Sequence, residues 1–309
     1  MSRPTLRAIG LAPVLGLVVL ALVAIVQLGA PSVARAGPWA PDQGAGYIKL
    51  WFKYLYGFQY NDGDGNNFSY GAYHEAHLST YVEVGLFDRF ALVLHAPLLT
   101  SYHLEDPRPG GGTTSHVTPG DPTLSMRWQL LAIDRLAASV EVGLRMPFAR
   151  SGPVQDVYST DDGYPQIGQL RIGAGVWDVP LVAAVGYGFD GWYLAASGGY
   201  VIRSSGYDHQ IVWSAEGGGN FDSQWAMRGR ITGVHSIDVW FDDRQPGHSS
   251  PSGIGNGTGY LGFAAELDYQ FQPNWYVGAT VEGGLGFLSR QTGGPVVTLY
   301  LANRFGPTP

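Results

Sequence analysis

From about Gly46 to Phe305 the sequence repeats one pattern twelve times. Segments of roughly ten or more residues alternate apolar and polar positions, the two-residue period of a β-strand with one apolar face. The connections alternate too. Phe87-Asp88-Arg89-Phe90, Ala132-Ile133-Asp134-Arg135, Phe189-Asp190-Gly191-Trp192, Phe221-Asp222-Ser223-Gln224-Trp225 and Phe271-Gln272-Pro273-Asn274-Trp275 are tight turns, while most connections between them are long and rich in Gly, Pro and Asp. Short at one end and long at the other is the wiring of an outer-membrane barrel. The expected fold is all-β: a transmembrane antiparallel up-and-down β-barrel of about 12 strands.

The strands are expected at 46–60, 71–87, 90–103, 120–131, 136–149, 174–188, 192–205, 209–221, 225–239, 259–271, 275–288 and 295–305. An even count returns both barrel ends to the periplasmic side. In the fourth segment Leu124, Met126, Trp128 and Leu130 face out against Thr123, Ser125, Arg127 and Gln129. In the fifth, Ala138, Val140, Val142, Leu144 and Met146 oppose Ser139, Glu141, Gly143 and Arg145, and in the tenth Leu261, Phe263, Ala265, Leu267 and Tyr269 oppose Ala264, Glu266, Asp268 and Gln270. A slip of one residue would turn charges toward lipid, so the register is strongly specified. Aromatic residues are expected in two outward rings: Phe90, Phe189, Trp192, Phe221, Trp225, Phe271, Trp275 and Phe305 near the short turns, and Phe58, Tyr60, Tyr102, Phe148, Tyr200, Trp213 and Phe287 near the long loops. A soluble β-sandwich also alternates, but it keeps shorter strands and places aromatics in mid-strand.

The chain opens with Arg3 and Arg7, continues in an apolar run from Leu11 to Leu28 and reaches Ala34-Arg35-Ala36, the order of a secretory signal peptide. Residues 1–36 are therefore expected to be a cleaved leader and 37–309 the outer-membrane barrel domain; an uncleaved inner-membrane anchor is the alternative. Loss of Arg3, Arg7 and Arg35 takes the formal charge from −7 to −10, and an acidic chain argues against nucleic acid. The absence of cysteine excludes disulfides, thiolate metal sites and a lipid anchor on cysteine.

The segment Gly120-Asp121-Pro122-Thr123-Leu124-Ser125-Met126-Arg127-Trp128 resembles the Gly-Asp-opened strand of the outer-membrane proteins grouped under the MetA pathway of phenol degradation. Gly191-Trp192-Tyr193-Leu194 followed by Gly199-Tyr200 resembles a second recurring piece of that family. The resemblance covers the middle of the chain. It implies a secreted outer-membrane barrel taking up aromatic or other hydrophobic small molecules, and it carries no catalytic residues. One departure is the end, where Gly306-Pro307-Thr308-Pro309 follows Phe305, whereas many such barrels stop at the aromatic.

Alternation assigns Lys49, Lys53, Arg127, Arg145, Arg203, Arg228, Arg230 and Arg304 to the lumen, facing Glu75, Glu83, Glu141, Asp178, Glu216, Asp238, Glu266, Asp268 and Glu282. His77 and His95 share that face. Rings of charge set selectivity in pores. Twelve strands lie between the filled interior of eight and the open channel of sixteen or more. The first reading is a narrow polar channel for diffusion-type uptake of small, aromatic or hydrophobic molecules, with Arg228 and Arg230 set against Glu266 and Asp268. The alternative is a structural or surface-interaction barrel whose lumen is occluded by ion pairs.

A lipid-modifying enzyme is a third reading. Outer-membrane phospholipase A, as a family, uses a His and a Ser two positions apart with an Asn nearby. His77-Leu78-Ser79 has that spacing but faces the lumen, so no catalytic residue is assigned. Asn61-Asp62-Gly63-Asp64-Gly65-Asn66 opens like a calcium loop, yet Asn67 and Tyr73 stand where Gly and Glu are required, and no metal or cofactor is assigned. Expected partners are outer-membrane lipid and lipopolysaccharide, with divalent cations bridging acidic loops to the latter, a small-molecule solute and the barrel-assembly machinery. Loops 104–119 and 240–258 are long enough to fold over the mouth or to extend into solvent.

Overall fold

The computed structural model describes residues 37–61, 67–161, 163–237, 250, 252–284 and 292–306. The expected leader, the calcium-like segment after Asn61, Asp238 and Phe287 lie outside the described residues.

The described residues form sixteen strands: β1 (Gly46–Asn61), β2 (Asn67–Phe87), β3 (Phe90–Glu105), β4 (Thr113–Thr118), β5 (Thr123–Ile133), β6 (Leu136–Arg145), β7 (Pro153–Tyr158), β8 (Gln166–Arg171), β9 (Asp178–Gly188), β10 (Trp192–Arg203), β11 (His209–Asn220), β12 (Trp225–Ile237), β13 (Tyr260–Gln272), β14 (Trp275–Gly284), β15 (Thr292–Gly293) and β16 (Val296–Phe305). Twelve of them close a barrel in the order β1-β2-β3-β5-β6-β9-β10-β11-β12-β13-β14-β16, with β16 returning to β1 from Gly46 opposite Phe305 to Leu55 opposite Val296. Closure pairs the edge groups, which is the condition for crossing hydrocarbon with strands.

The outward phase is apolar as expected. Leu124, Met126, Trp128, Val142, Leu144, Leu181, Val185, Phe263, Leu267, Val297, Leu299 and Leu301 all expose large side chains. At the short-turn end, Phe90 stacks on Trp128 at 5.4 Å and Phe221 on Trp225 at 6.4 Å, which builds the lower aromatic ring. The short turns carry their reversal on Arg89, Asp134, Gly191 and Asn274, each with positive φ.

The upper ring departs from strict alternation. Tyr60 and Tyr102 are buried on the inner side, although a two-residue count from mid-strand turns both toward lipid. Register shifts between Gly57 and Gln59 in β1, and opposite Leu78 and Ser79 in β3, insert one extra residue. A bulge reverses the phase of every side chain beyond it. Phe58, Phe148, Tyr200 and Trp213 remain on the outer face.

Four short strands, β4, β7, β8 and β15, were not expected from the sequence, and β15 pairs with the end of β1. Within 104–119, β4 pairs with the end of β3 and extends the wall upward. Strands β7 and β8 form a separate two-stranded sheet. This hairpin folds over the long-loop mouth, where Val157, Leu170 and Ile172 pack on Tyr60, Tyr70, Tyr73, Tyr102 and Leu104 in one buried cluster. It is tied to β2 by the Tyr70–Ser159 bridge and by Thr160 N–H donating to Ser69 O at 2.9 Å. The Arg108 guanidinium, held by Asp106, lies 3.5 Å from the centroid of the Tyr158 ring. That bonding also holds the Asp106 carboxyl below the usual carboxylate range.

The other mouth is crossed by the chain before β1. Gly44 and Ala45 bond to Gly85 of β2, and from there residues 37–43 span the opening. The Ala40 N–H donates to Gln129 Oε1 at 3.0 Å, Trp39 meets Tyr193 edge to face at 6.0 Å, and Pro38 is fully buried. Gly186 makes this possible, because a Cβ there would stand 2.6 Å from the Trp39 ring. Gly186→Leu is therefore expected to expel the segment without opening the barrel. Limited proteolysis should then cut near Trp39, where the wild type resists, while the folded band on a cold gel persists.

Candidate functional site

The lumen is where the alternating sequence collects its charge, and the structure joins most of those charges into four groups along the wall. On β12, β13, β14, β16 and β1, Glu266 is the hub. Lys49 Nζ donates to its Oε2 at 3.2 Å, Thr280 Oγ1 to the same oxygen at 3.1 Å and Tyr300 OH to its Oε1 at 2.8 Å. Arg228 bridges Glu266 and Asp268, the latter at 2.8 Å. The Lys49 ammonium also sits 3.5 Å from the Tyr300 ring centroid, and Tyr300 lies close to the wall because Gly278 presents no Cβ beneath it.

On β2, β5 and β6, Arg127 donates to Glu83 at 2.7 Å and to Glu141 at 2.9 Å, while Tyr81 OH donates to Glu83 at 2.7 Å. Higher on β6, β9 and β10, the fully buried Asp178 lies between Arg145 and Arg203. Arg203 donates onward to Gly255 O at 3.2 Å and covers the Tyr207 ring. The described part of the 240–258 loop thus packs inward, with Asn256 accepting from the Asp208 N–H at 2.7 Å and Ser250 accepting from Arg171 N–H.

Under the β7–β8 cap, Glu75 accepts from both Tyr73 and His77, and the other ring nitrogen of His77 is 3.0 Å from Thr100 Oγ1. His77 therefore spends its two nitrogens on Glu75 and Thr100 and makes no pair with Ser79. Lys53 meets Glu282 at 3.1 Å, and His95 stacks on Trp51 at 5.4 Å.

Two pairings differ from the sequence expectation. Arg230 turns away from β13 toward Glu216 on β11, at 3.8 Å, while Arg228 alone reaches Glu266 and Asp268. Arg304 lies over the Tyr276 ring at 4.9 Å. The tyrosines of the inner wall, Tyr47, Tyr81, Tyr193 and Tyr300, share the phase of the charged residues and were findable by the same count. On the outer face, small residues of β10–β13 leave a shallow apolar groove between Leu194, Ile231 and Phe263.

No family model and no curated protein matches the sequence. Among solved structures, an outer-membrane channel from Pseudomonas putida F1 aligns with 89% of this chain and 100% of its own, with a TM-score of 0.60 at 13% identity. The NanC porin aligns with 84% and 100% respectively, at a TM-score of 0.49 and 8% identity. The first likeness shows the fold. A closed twelve-strand barrel with a charged interior and an apolar belt is an outer-membrane barrel of the Gram-negative type.

Proposed function

We propose that the protein is a channel for diffusion-type uptake of small molecules, with no catalytic role. One observation carries this reading. Lys53 and Glu282 point away from lipid, yet their side chains are 32% and 30% exposed. Inside a barrel such exposure requires a hydrated lumen, since a filled interior would cover both groups. The resemblance of Gly120–Trp128 to the phenol-degradation family supports an aromatic or hydrophobic cargo. Lipopolysaccharide around the outer mouth and the assembly machinery at insertion complete the expected partners.

A second reading, a barrel kept shut, is favoured by the tail at one mouth and the hairpin at the other. Cross-linking separates the two. The chain has no native cysteine, so Tyr70→Cys with Ser159→Cys places one disulfide between the hairpin and β2. In planar bilayers the oxidised variant is expected to pass a small fraction of the wild-type current, and reduction is expected to restore it to the wild-type level or above. A folded wild-type barrel that passes no current would establish the closed reading instead.

A further inference from the structure

The charges of the lumen are nearly balanced in number but not in presentation. In two of the pairs, on the β6–β12 side of the lumen, the carboxylate lies back against the wall and the cation projects. Arg230 is 46% exposed against 14% for Glu216, and Arg145 is 37% exposed against 1% for Asp178. Elsewhere the balance differs: Glu282 is matched by an equally exposed Lys53, and Glu141 stands out further than Arg127. A solute passing along the side of the lumen that holds Arg145 and Arg230 therefore meets guanidinium groups.

Between those two arginines the inner wall is unlike the rest. On β9–β13 the charged phase gives way to Val182, Ala184, Val212, Val234 and Ala264, all partly reached by solvent. Two of the hydroxyls that interrupt them are turned on each other, with Ser197 Oγ and Ser214 Oγ 2.8 Å apart. Arg230 stands directly across from Ala264 at the lower edge of this strip.

We infer that the lumen selects small anionic amphiphiles, an apolar body bearing one carboxylate, the body sliding over the β9–β13 strip while Arg145 and then Arg230 receive the head. An arginine fork matches a carboxylate in two hydrogen bonds, and a group already half hydrated gives up little to form them. Arg230 is the specificity-determining residue. Glu216 holds it loosely and keeps its own 2.5 Å hydrogen bond from Tyr193, so Arg230 can be changed without stranding a buried partner. The inference rests on the channel reading and names its cargo class.

The test is uptake into proteoliposomes of two probes of matched size and opposite charge, phenylacetate and phenethylammonium. Wild type is expected to admit phenylacetate severalfold faster. Arg230→Glu is expected to abolish or invert that preference, and Arg230→Lys to retain most of it, with the folded gel band unchanged in both. Equal entry of the two probes, or an unchanged preference in Arg230→Glu, would overturn the selectivity while leaving the channel intact. Entry of neither probe, with no ionic current, would overturn both.

Discussion

Deleting residues 37–43, with residues 1–36 retained, is expected to raise single-channel conductance severalfold. Pro38, Trp39 and Ala40 lie across the short-turn mouth and contact the inner face of β5, β9 and β10. Current through a narrow pore is limited by its tightest section, and this tail is chain that the wall does not need. Trp39→Ala is expected to give a smaller rise, because the backbone bond from Ala40 to Gln129 persists. Single-channel recording of the three proteins under one salt condition reads the order directly. A deletion that leaves conductance at the wild-type value would place the limiting section elsewhere.

The largest loss of stability is expected at Asp178. Its carboxylate is fully buried and is the ion-pair partner of Arg203, itself 3% exposed, and of Arg145. Asp178→Ala removes the ion-pair partner of the buried Arg203 guanidinium, which keeps the Gly255 carbonyl, the Tyr207 face and the charge of the nearby Asp208. Removing one partner of a buried pair costs about 3–5 kcal/mol, more than the pair contributes over an apolar replacement. Arg145 is solvated by the lumen and contributes less to that loss. Urea unfolding in detergent micelles should show the full shift for Asp178→Ala and a smaller one for Asp178→Asn, whose amide oxygen still accepts. Changing Asp178→Leu together with Arg203→Met should recover part of the stability, since the buried Asp178–Arg203 pair is then replaced as a whole.

The wall was legible in the sequence because lipid imposes a demand at every second position. Leu124, Met126 and Trp128 could be placed without a structure, and with them Arg127 on the opposite face. The count stays right only until an extra residue enters. Beyond the irregularities in β1 and β3 it sent Tyr60 and Tyr102 to lipid, whereas the structure buries them under the β7–β8 hairpin. Gly57 in β1 and Pro97 in β3, both uncommon inside a strand, sit at these irregularities and were the local marks of them.

Pairing within the lumen was less legible, for a geometric reason. Every strand has two neighbours, so alternation says that Arg230 faces inward without saying whether it leans to β11 or β13. Its real partner, Glu216, lies on the side that the sequence reading passed over. The tail and the β7–β8 hairpin left no periodic signal, because each is held by a few specific contacts and not by a repeated face. Pro38-Trp39, an apolar pair just ahead of the first strand, was the one local hint.

The tail also orders events in time. Trp39 belongs to the first part of the barrel domain to be synthesised, yet the groove that receives it is made by β9 and β10, five and six steps around a twelve-strand ring from β1. Strands that far apart in the sheet face each other only after the ring has curled. Residues that precede the first strand therefore reach their place only once the sheet has curled, which ties the seating of Trp39 to the closing of the barrel.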